Sequence, residues 1–331
     1  MNAASLRAIA APADAVFPDA HGRAQRRPTR TVTPGCYSGP MVEHEVELPT
    51  AWGKLAGTLL LPEGAGPWPA ALLIAGAGPT DRDGNTPLLP APLDNLKRLA
   101  QSLAMRGVAS LRYDKRGIGG STYPGLGEEA LRFEHLVDDA VALAEHLAAE
   151  ERVTRVSLVG HSEGALIAAL AAEDAQAQGV VSIAGAGSRA SKLMRKQIIQ
   201  GHLPEDIAQP ALAALDALEA QQPVQDVPEA LILLFRPTVQ PYLMSWFRYD
   251  PSQVLAELSL PVLLVHGAAD LQVDVEHARL LHGARPDARL KVVDGMDHLL
   301  SLDGDIAGGT EAVAAEVAAW LRELDVVGAA G

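Results

Sequence analysis

The chain has 331 residues, 48% of them apolar and 21% charged, enough to bury a sizeable core in one large domain or two modest ones. A formal net charge of -14 argues against a nucleic-acid partner, which needs clustered Lys and Arg to meet phosphate. The single cysteine, Cys36, excludes an intrachain disulfide and a cysteine metal site, and no apolar run is long enough to span a membrane.

Residues 1–40 differ from the rest. The first thirty carry Arg7, Arg23, Arg26, Arg27 and Arg30 against only Asp14 and Asp19, in an Ala- and Pro-rich context without a continuous apolar stretch. That is a poor secretory signal, and Arg26-Arg27 lacks the apolar run of an export signal. A flexible N-terminal tail and a cytoplasmic location are the expectations.

From residue 42 the pattern becomes regular. Val42 to Leu48 alternates, and Lys54 to Leu61 reads as its antiparallel partner. "AALLIAG" (70–76) is wholly apolar, as for a strand covered on both faces. A helix around 92–106 follows, then strand "VASLRYD" (108–114), a helix over 131–150, and a strand over 155–160. Beyond it come a helix, strand "VVSIAG" (180–185), strand "PVLLVHG" (261–267), a helix near 275–283, strand "LKVVD" (290–294) and a last helix over 310–324. Strands alternating with helices predict an α/β fold with a mostly parallel, eight-stranded sheet and right-handed crossovers. The core is expected over 41–189 and 258–326. Segment 190–257 breaks the rhythm with helical pieces divided by Pro204, Pro210, Pro223, Pro228, Pro237 and Pro241, and is expected to form a helical cap above the sheet.

"GHSEG" (160–164) stands where the strand over 155–160 passes into a helix. A serine there contributes nothing to packing, but a sharp turn would project its hydroxyl from the sheet edge. Gly160 and Gly164 leave room for strand and helix to approach. Acyl transfer by such a serine needs a base, a group that orients the base, and N–H donors for the oxyanion. Later strand ends supply Asp270, in "PVLLVHGAADLQVD", and His298, in "LKVVDGMDHLL". The order Ser162, Asp270, His298 suits nucleophile, orienting acid and base. Asp274 is the rival acid, placed instead in the first turn of the next helix. Asp297 reads as a solvated loop carboxylate, His161 should point away across the turn, and His266 should pack at its strand end. The Glu163 N–H, at the helix start, is one expected oxyanion donor. The second is expected from "LLIAGAGPTDRDGN", with the Ala77 N–H preferred, Gly78 in reserve and Gly76 lining the approach.

"AGAGPTDRDGN" (75–85), "YDKRGIGGS" (113–121), "GHSEG", the Asp270 strand end and the His298 loop together resemble the α/β-hydrolase superfamily, in its serine esterase and S33-peptidase-like branch. The resemblance covers about 43 to 325 and implies the α/β-hydrolase fold and a serine hydrolase that needs neither metal nor organic cofactor. It also implies a scaffolding role for Asp114, Arg116, Gly117 and Gly119. Ala77 departs from the polar residue often found at that place, which keeps a backbone donor but removes a side-chain contact. The favoured activity is a carboxylesterase acting on small-molecule esters with apolar acyl or alkyl groups. An aminopeptidase-like amidase, a thioesterase or an acyltransferase would use the same residues.

Two other glycine patterns and one aromatic cluster invite different functions. Gly185-Ala186-Gly187-Ser188-Arg189-Ala190 has a dinucleotide-binding spacing, but no second strand ending in an acid follows, so an oxidoreductase is disfavoured. "DRDGN" (81–85) has its glycine too early for a calcium loop; Asp81, Arg82 and Asp83 are expected to brace the oxyanion loop by hydrogen bonds and an ion pair of their own. Phe235, Tyr242, Trp246, Phe247 and Tyr249 crowd fifteen residues of the expected cap, together with Met244. Tyr242, Met244, Trp246 and Phe247 are therefore candidate substrate-pocket residues, against the simpler role of gluing the cap to the core. A catalytically silent binding protein on the same scaffold is the alternative of another class.

Overall fold

The structure, a computed structural model, describes residues 41–329. The tail predicted over 1–40 lies outside the described residues. Eight strands form one sheet: β1 (Val42–Thr50), β2 (Gly53–Leu61), β3 (Trp68–Ile74), β4 (Ala109–Tyr113), β5 (Val153–His161), β6 (Val180–Ile183), β7 (Val262–Gly267) and β8 (Arg289–Val293). Their spatial order is β1-β2-β4-β3-β5-β6-β7-β8. β1 and β2 join antiparallel to one edge, and every pairing from β4 to β8 is parallel. Parallel neighbours need long crossovers, supplied here by α1 (Asn95–Ala104), α2 (Phe133–Ala148), α3 (Glu163–Ala171) and α9 (Glu276–Ala284). The chain closes on α10 (Ile306–Ala329).

Side-chain alternation sorts each central strand into two cores. Ala70, Leu72 and Ile74 of β3 face one cluster, with Phe133, Leu136 and Leu143 of α2 and Leu166 and Ile167 of α3. Ala71, Leu73 and Ala75 face the other, with Leu96, Leu99 and Leu103 of α1 and Val313, Val317 and Leu321 of α10. Strands covered on both faces explain why their sequences are uninterrupted apolar runs. Each fully buried Leu or Ile contributes about 1.5–3 kcal/mol.

Between β6 and β7 the chain adds α4 (Ala190–Gln200), α5 (Glu205–Glu219), α6 (Ile232–Phe235), α7 (Gln240–Trp246) and α8 (Pro251–Glu257). The first four build an apolar cluster of their own around Ile198, Leu215, Leu218, Phe235 and Leu243. Pro210, expected to divide this segment, lies inside the continuous helix α5. A proline there costs about 3 kcal/mol of helix stability, and the buried stripe Ala211, Ala214, Leu215 and Leu218 offsets it by packing into that cluster. The segment is tied to α2: the Phe133 N–H donates to Ser245 Oγ at 2.8 Å, and the Arg236 guanidinium pairs with Glu128 just ahead of that helix. The last helix starts at Ile306, four residues before its expected start, with Gly308 and Gly309 inside its first turn.

Candidate active site

The turn that carries Ser162 is built by backbone strain and by two glycines. β5 ends at His161, and Ser162 adopts φ 56° and ψ -116° before α3 begins at Glu163. A non-glycine residue in such a conformation costs about 1–3 kcal/mol and persists only where its surroundings hold it. Here the Ser162 N–H donates to Ile183 O of β6 at 2.9 Å. A Cβ on Gly160 would stand 2.0 Å from Gly164 O, and one on Gly164 would stand 2.3 Å from Ile74 O. Strand, turn and helix therefore touch backbone to backbone, and any side chain at either position would push Ser162 out of place.

Three strand ends then converge. His298 Nε2 lies 3.1 Å from Ser162 Oγ, and His298 Nδ1 lies 2.7 Å from Asp270 Oδ2. Asp270 follows β7, and its other oxygen, Oδ1, accepts the N–H groups of Gln272 and Val273, each at 2.9 Å. Burial alone would raise the Asp270 pKa, but the His298 hydrogen bond and the neighbouring imidazoles outweigh it and hold the carboxyl below its ordinary value. An ionised carboxylate only accepts, so His298 Nδ1 carries the proton and Nε2 is free to accept from the serine hydroxyl. Asp274 is elsewhere occupied, its carboxylate paired with Lys196 of α4.

The Asp297 carboxylate, expected to be solvated, instead braces the His298 loop: Oδ1 accepts the N–H groups of Leu299 and Ser301, each at 2.9 Å. A tight loop leaves these donors without strand or helix partners, and the nearest carboxylate satisfies them. His266 does pack at its strand end, with Nε2 2.7 Å from Val273 O. His161 departs from expectation: its ring lies beside His298, with Nε2 2.8 Å from the His298 carbonyl oxygen. The positive φ at Ser162 reverses the chain, and the His161 ring lies on the same side as the His298 loop.

Gly76 and Ala77 lie just past β3, after Ala75. A Cβ on Gly76 would sit 3.3 Å from Ser162 Cβ, so the 76–77 peptide borders Ser162. Lys115, buried just after β4, donates to Gly76 O at 2.6 Å. The same ammonium lies 3.4 Å from Glu163 Oε1, and the Tyr242 hydroxyl donates to Glu163 Oε2 at 2.6 Å. Burial and the adjacent carboxylate raise the Tyr242 pKa well above its ordinary value, so this phenol remains a donor. Sequence patterning did not mark Lys115, because a lysine after a strand is normally solvated and its partners are remote in the chain. The Glu163 side chain is buried in this network.

The charged groups of "DRDGN" are also spent internally: the loop's hydrogen bonds are its own, but its ion pairs run to β4 and the turn after it rather than between its own residues. Arg82 Nη2 pairs with Asp114 at 2.8 Å, and Asp83 Oδ1 accepts from Arg112 Nε at 2.7 Å. Asp81 Oδ1 accepts the N–H groups of Asp83 and Asn85. Arg116 makes a two-armed pair with Asp139, each bond 2.7 Å. Among the described residues no group of acids, histidines and cysteines is arranged to hold a metal ion, and no helix is long and apolar enough to cross a membrane.

Of the expected pocket residues, Phe247 is buried in the cluster of the 190–257 segment and Met244 packs against it. Trp246 lies flat on Phe133 of α2, ring centres 5.7 Å apart and planes 3° from parallel. Tyr242 and Trp246 pack against this cluster and against the α2 side of the core, forming the seam between them.

Comparison with known proteins agrees with this architecture. Residues 93–232 match the family model described as serine aminopeptidase, S33. Esterase EstD of Thermotoga maritima is 29% identical over 253 residues, 74% of this chain, and the chain spans 58% of the length of that relative. Among solved structures, Est1E from Butyrivibrio proteoclasticus superposes with a TM-score of 0.57 at 18% identity, covering 85% of this chain and 99% of that one. The α/β hydrolase GrgF from Penicillium sp. sh18 gives 0.58 at 19% identity, over 85% and 98% of the two chains. The esterase domain of a Rhodothermus marinus protein gives 0.54 at 23%, over 84% and 98%. A sequence relative and a shared fold thus point the same way, and the chain has the fold of the α/β hydrolases.

Proposed function

We propose that the protein is a serine hydrolase that cleaves carboxylic esters through an acyl-enzyme on Ser162. The observation that carries this is the unbroken line from Ser162 Oγ through the His298 ring to Asp270 Oδ2, at 3.1 and 2.7 Å. In this mechanism Ser162 Oγ attacks the ester carbonyl carbon as its proton passes to His298 Nε2, and Asp270 stabilises the imidazolium. Negative charge on the carbonyl oxygen is met by the N–H groups of Glu163 and Ala77. The first residue of a helix has no intrahelical acceptor, and the helix dipole adds to the field at that point. Collapse of the tetrahedral adduct breaks the C–O bond, and the alkoxide leaves as the alcohol with the proton from His298. Water then repeats the sequence on the acyl-enzyme. The helices of 190–257 act as a cap, and a small apolar ester reaches Ser162 beneath it.

An aminopeptidase-like reading takes support from the family model's description. Binding a free substrate amine calls for an uncommitted acid near the nucleophile. Glu163 already serves Lys115 and Tyr242, Asp83 serves Arg112, and Asp81 serves two backbone N–H groups. That distribution favours the ester. The test is labelling with a fluorophosphonate probe and turnover of p-nitrophenyl esters beside aminoacyl anilides. Labelling and ester turnover are expected in the intact protein and absent in Ser162→Ala; His298→Ala should lose at least about 10⁴-fold in kcat, with little further loss in the double variant. An unlabelled protein, or anilides turned over faster than esters, would refute the reading.

A further inference from the structure

We infer that Lys115 is a positioning residue for the oxyanion hole, its ammonium gripping the Gly76 carbonyl and the Glu163 carboxylate so that the Ala77 and Glu163 N–H groups face the same point. The inference rests on the serine hydrolase reading. A trans peptide carries its C=O and N–H in opposite directions. The Gly76 carbonyl is drawn to Lys115 Nζ at 2.6 Å, so the N–H of the same peptide, that of Ala77, points away from the lysine. The peptide borders Ser162, as the 3.3 Å between a Gly76 Cβ and Ser162 Cβ shows.

The second arm of the grip acts on the other donor. Glu163 is the first residue of α3, and its carboxylate takes Lys115 on one oxygen and Tyr242 on the other. Anchoring that side chain pins the first turn of α3, whose leading N–H faces the scissile carbonyl. One cation thereby links two loops 39 and 48 residues away from it in sequence.

Stability alone does not account for this arrangement. Lys115 is 5% exposed and Glu163 is 4% exposed, and a buried ion pair is commonly no more stable than apolar residues of the same volume. What an apolar pair would lack is the directional hold on the Gly76 carbonyl. Precise placement of donors matters because an oxyanion donor acts only when its N–H meets the charge as it develops.

The test uses the full-length protein, Lys115→Met, and the charge-neutral double variant Lys115→Met/Glu163→Gln, which keeps the backbone N–H at 163 and leaves no lone buried carboxylate if the single variant does not fold. For each, kcat and KM on p-nitrophenyl acetate are measured, with Ki for a trifluoromethyl ketone, whose adduct on Ser162 places an oxyanion in the hole. The expected result is kcat lower by about 10- to 100-fold, KM within threefold, and Ki weakened by the same factor as kcat. A merely structural lysine would lower the melting temperature while kcat and Ki stay within threefold of the parent, and that overturns the proposal. A rise in KM with kcat unchanged overturns it too, since it marks ground-state binding. If the parent protein is neither labelled by a fluorophosphonate nor active on esters, the serine hydrolase reading falls and this inference with it. A labelled, active parent whose folded variants match it sinks the Lys115 role alone.

Discussion

His161 and His298 are joined through the backbone: Nε2 of His161 lies 2.8 Å from the His298 carbonyl oxygen, and the two rings pack 5.1 Å apart. A carbonyl only accepts, so His161 Nε2 carries the proton. Burial, helped by the nearby His298 ring, lowers the His161 pKa to about 4, and the ring stays neutral through the physiological range. His161 therefore holds the loop of His298 as a neutral hydrogen-bond donor.

That coupling has a pH signature. Between the reference imidazole pKa of about 6.5 and the folded value of about 4, the unfolded chain binds a proton at His161 that the folded protein does not. This contribution is complete above pH 6.5 and is lost as the pH falls toward 4. At pH 4.5 it amounts to a loss on the order of 2–3 kcal/mol. Urea unfolding of the parent and of His161→Gln at pH 7.5 and 4.5 should show the smaller acid loss in the variant, by about that amount. Equal acid losses in both proteins would contradict the assignment.

Asp270 and Asp274 make opposite predictions. Asp270 Oδ2 faces His298 Nδ1 at 2.7 Å, whereas Asp274 pairs with Lys196 on the surface of α4. Asp270→Asn should reduce kcat by about 10⁴-fold, because an amide at this place favours the wrong imidazole tautomer. Asp274→Asn should leave kcat within about twofold. Steady-state kinetics on one ester separates them, and comparable losses would move the acid role away from Asp270.

Gly164→Ala tests the backbone contact beneath the nucleophile. The new Cβ would fall 2.3 Å from Ile74 O, and neither β3 nor α3 can yield without disturbing the sheet. A loss of about 3 kcal/mol or more in unfolding free energy is expected, in the class of overpacked cores. Chemical denaturation measures it. A change of under about 1 kcal/mol would show that the turn at Ser162 has slack the geometry does not reveal.

Trp246 separates packing from substrate contact. Its ring stacks on Phe133 at 5.7 Å, at the seam between α7 and α2. Trp246→Ala should cost about 2–3 kcal/mol of stability through lost apolar burial and ring contact. KM should change alike for acetate, butyrate and octanoate esters of p-nitrophenol. A KM that rises with acyl length would instead place this ring against the acyl chain.

Local pattern reached far into this molecule. The apolar runs of β3, β5 and β7 are legible because a strand covered on both faces can admit little else. The same logic marks Ser162, just past β5, while Asp270 and His298 are read from the order of an acid and a histidine after later strands. Pro210 was misleading for a related reason: proline opposes a helix locally, but α5 is held by what it buries.

Strand periodicity, glycine spacing and the order of polar residues at strand ends are properties of neighbours in sequence, so the chain's letters by themselves determined the α/β layering, the strand-to-helix turn and the three residues that converge there. The tertiary structure alone decided which side chains meet across the crossovers. Lys115 with Glu163 is 48 residues apart, Tyr242 with Glu163 is 79, and His161 with the His298 carbonyl is 137. Such pairings follow from strand order and from the twist that brings loop ends together, and no spacing along the chain encodes them. The physical reason is range: backbone preferences act over a few residues, while a hydrogen bond forms with whatever group the fold places within about 3 Å.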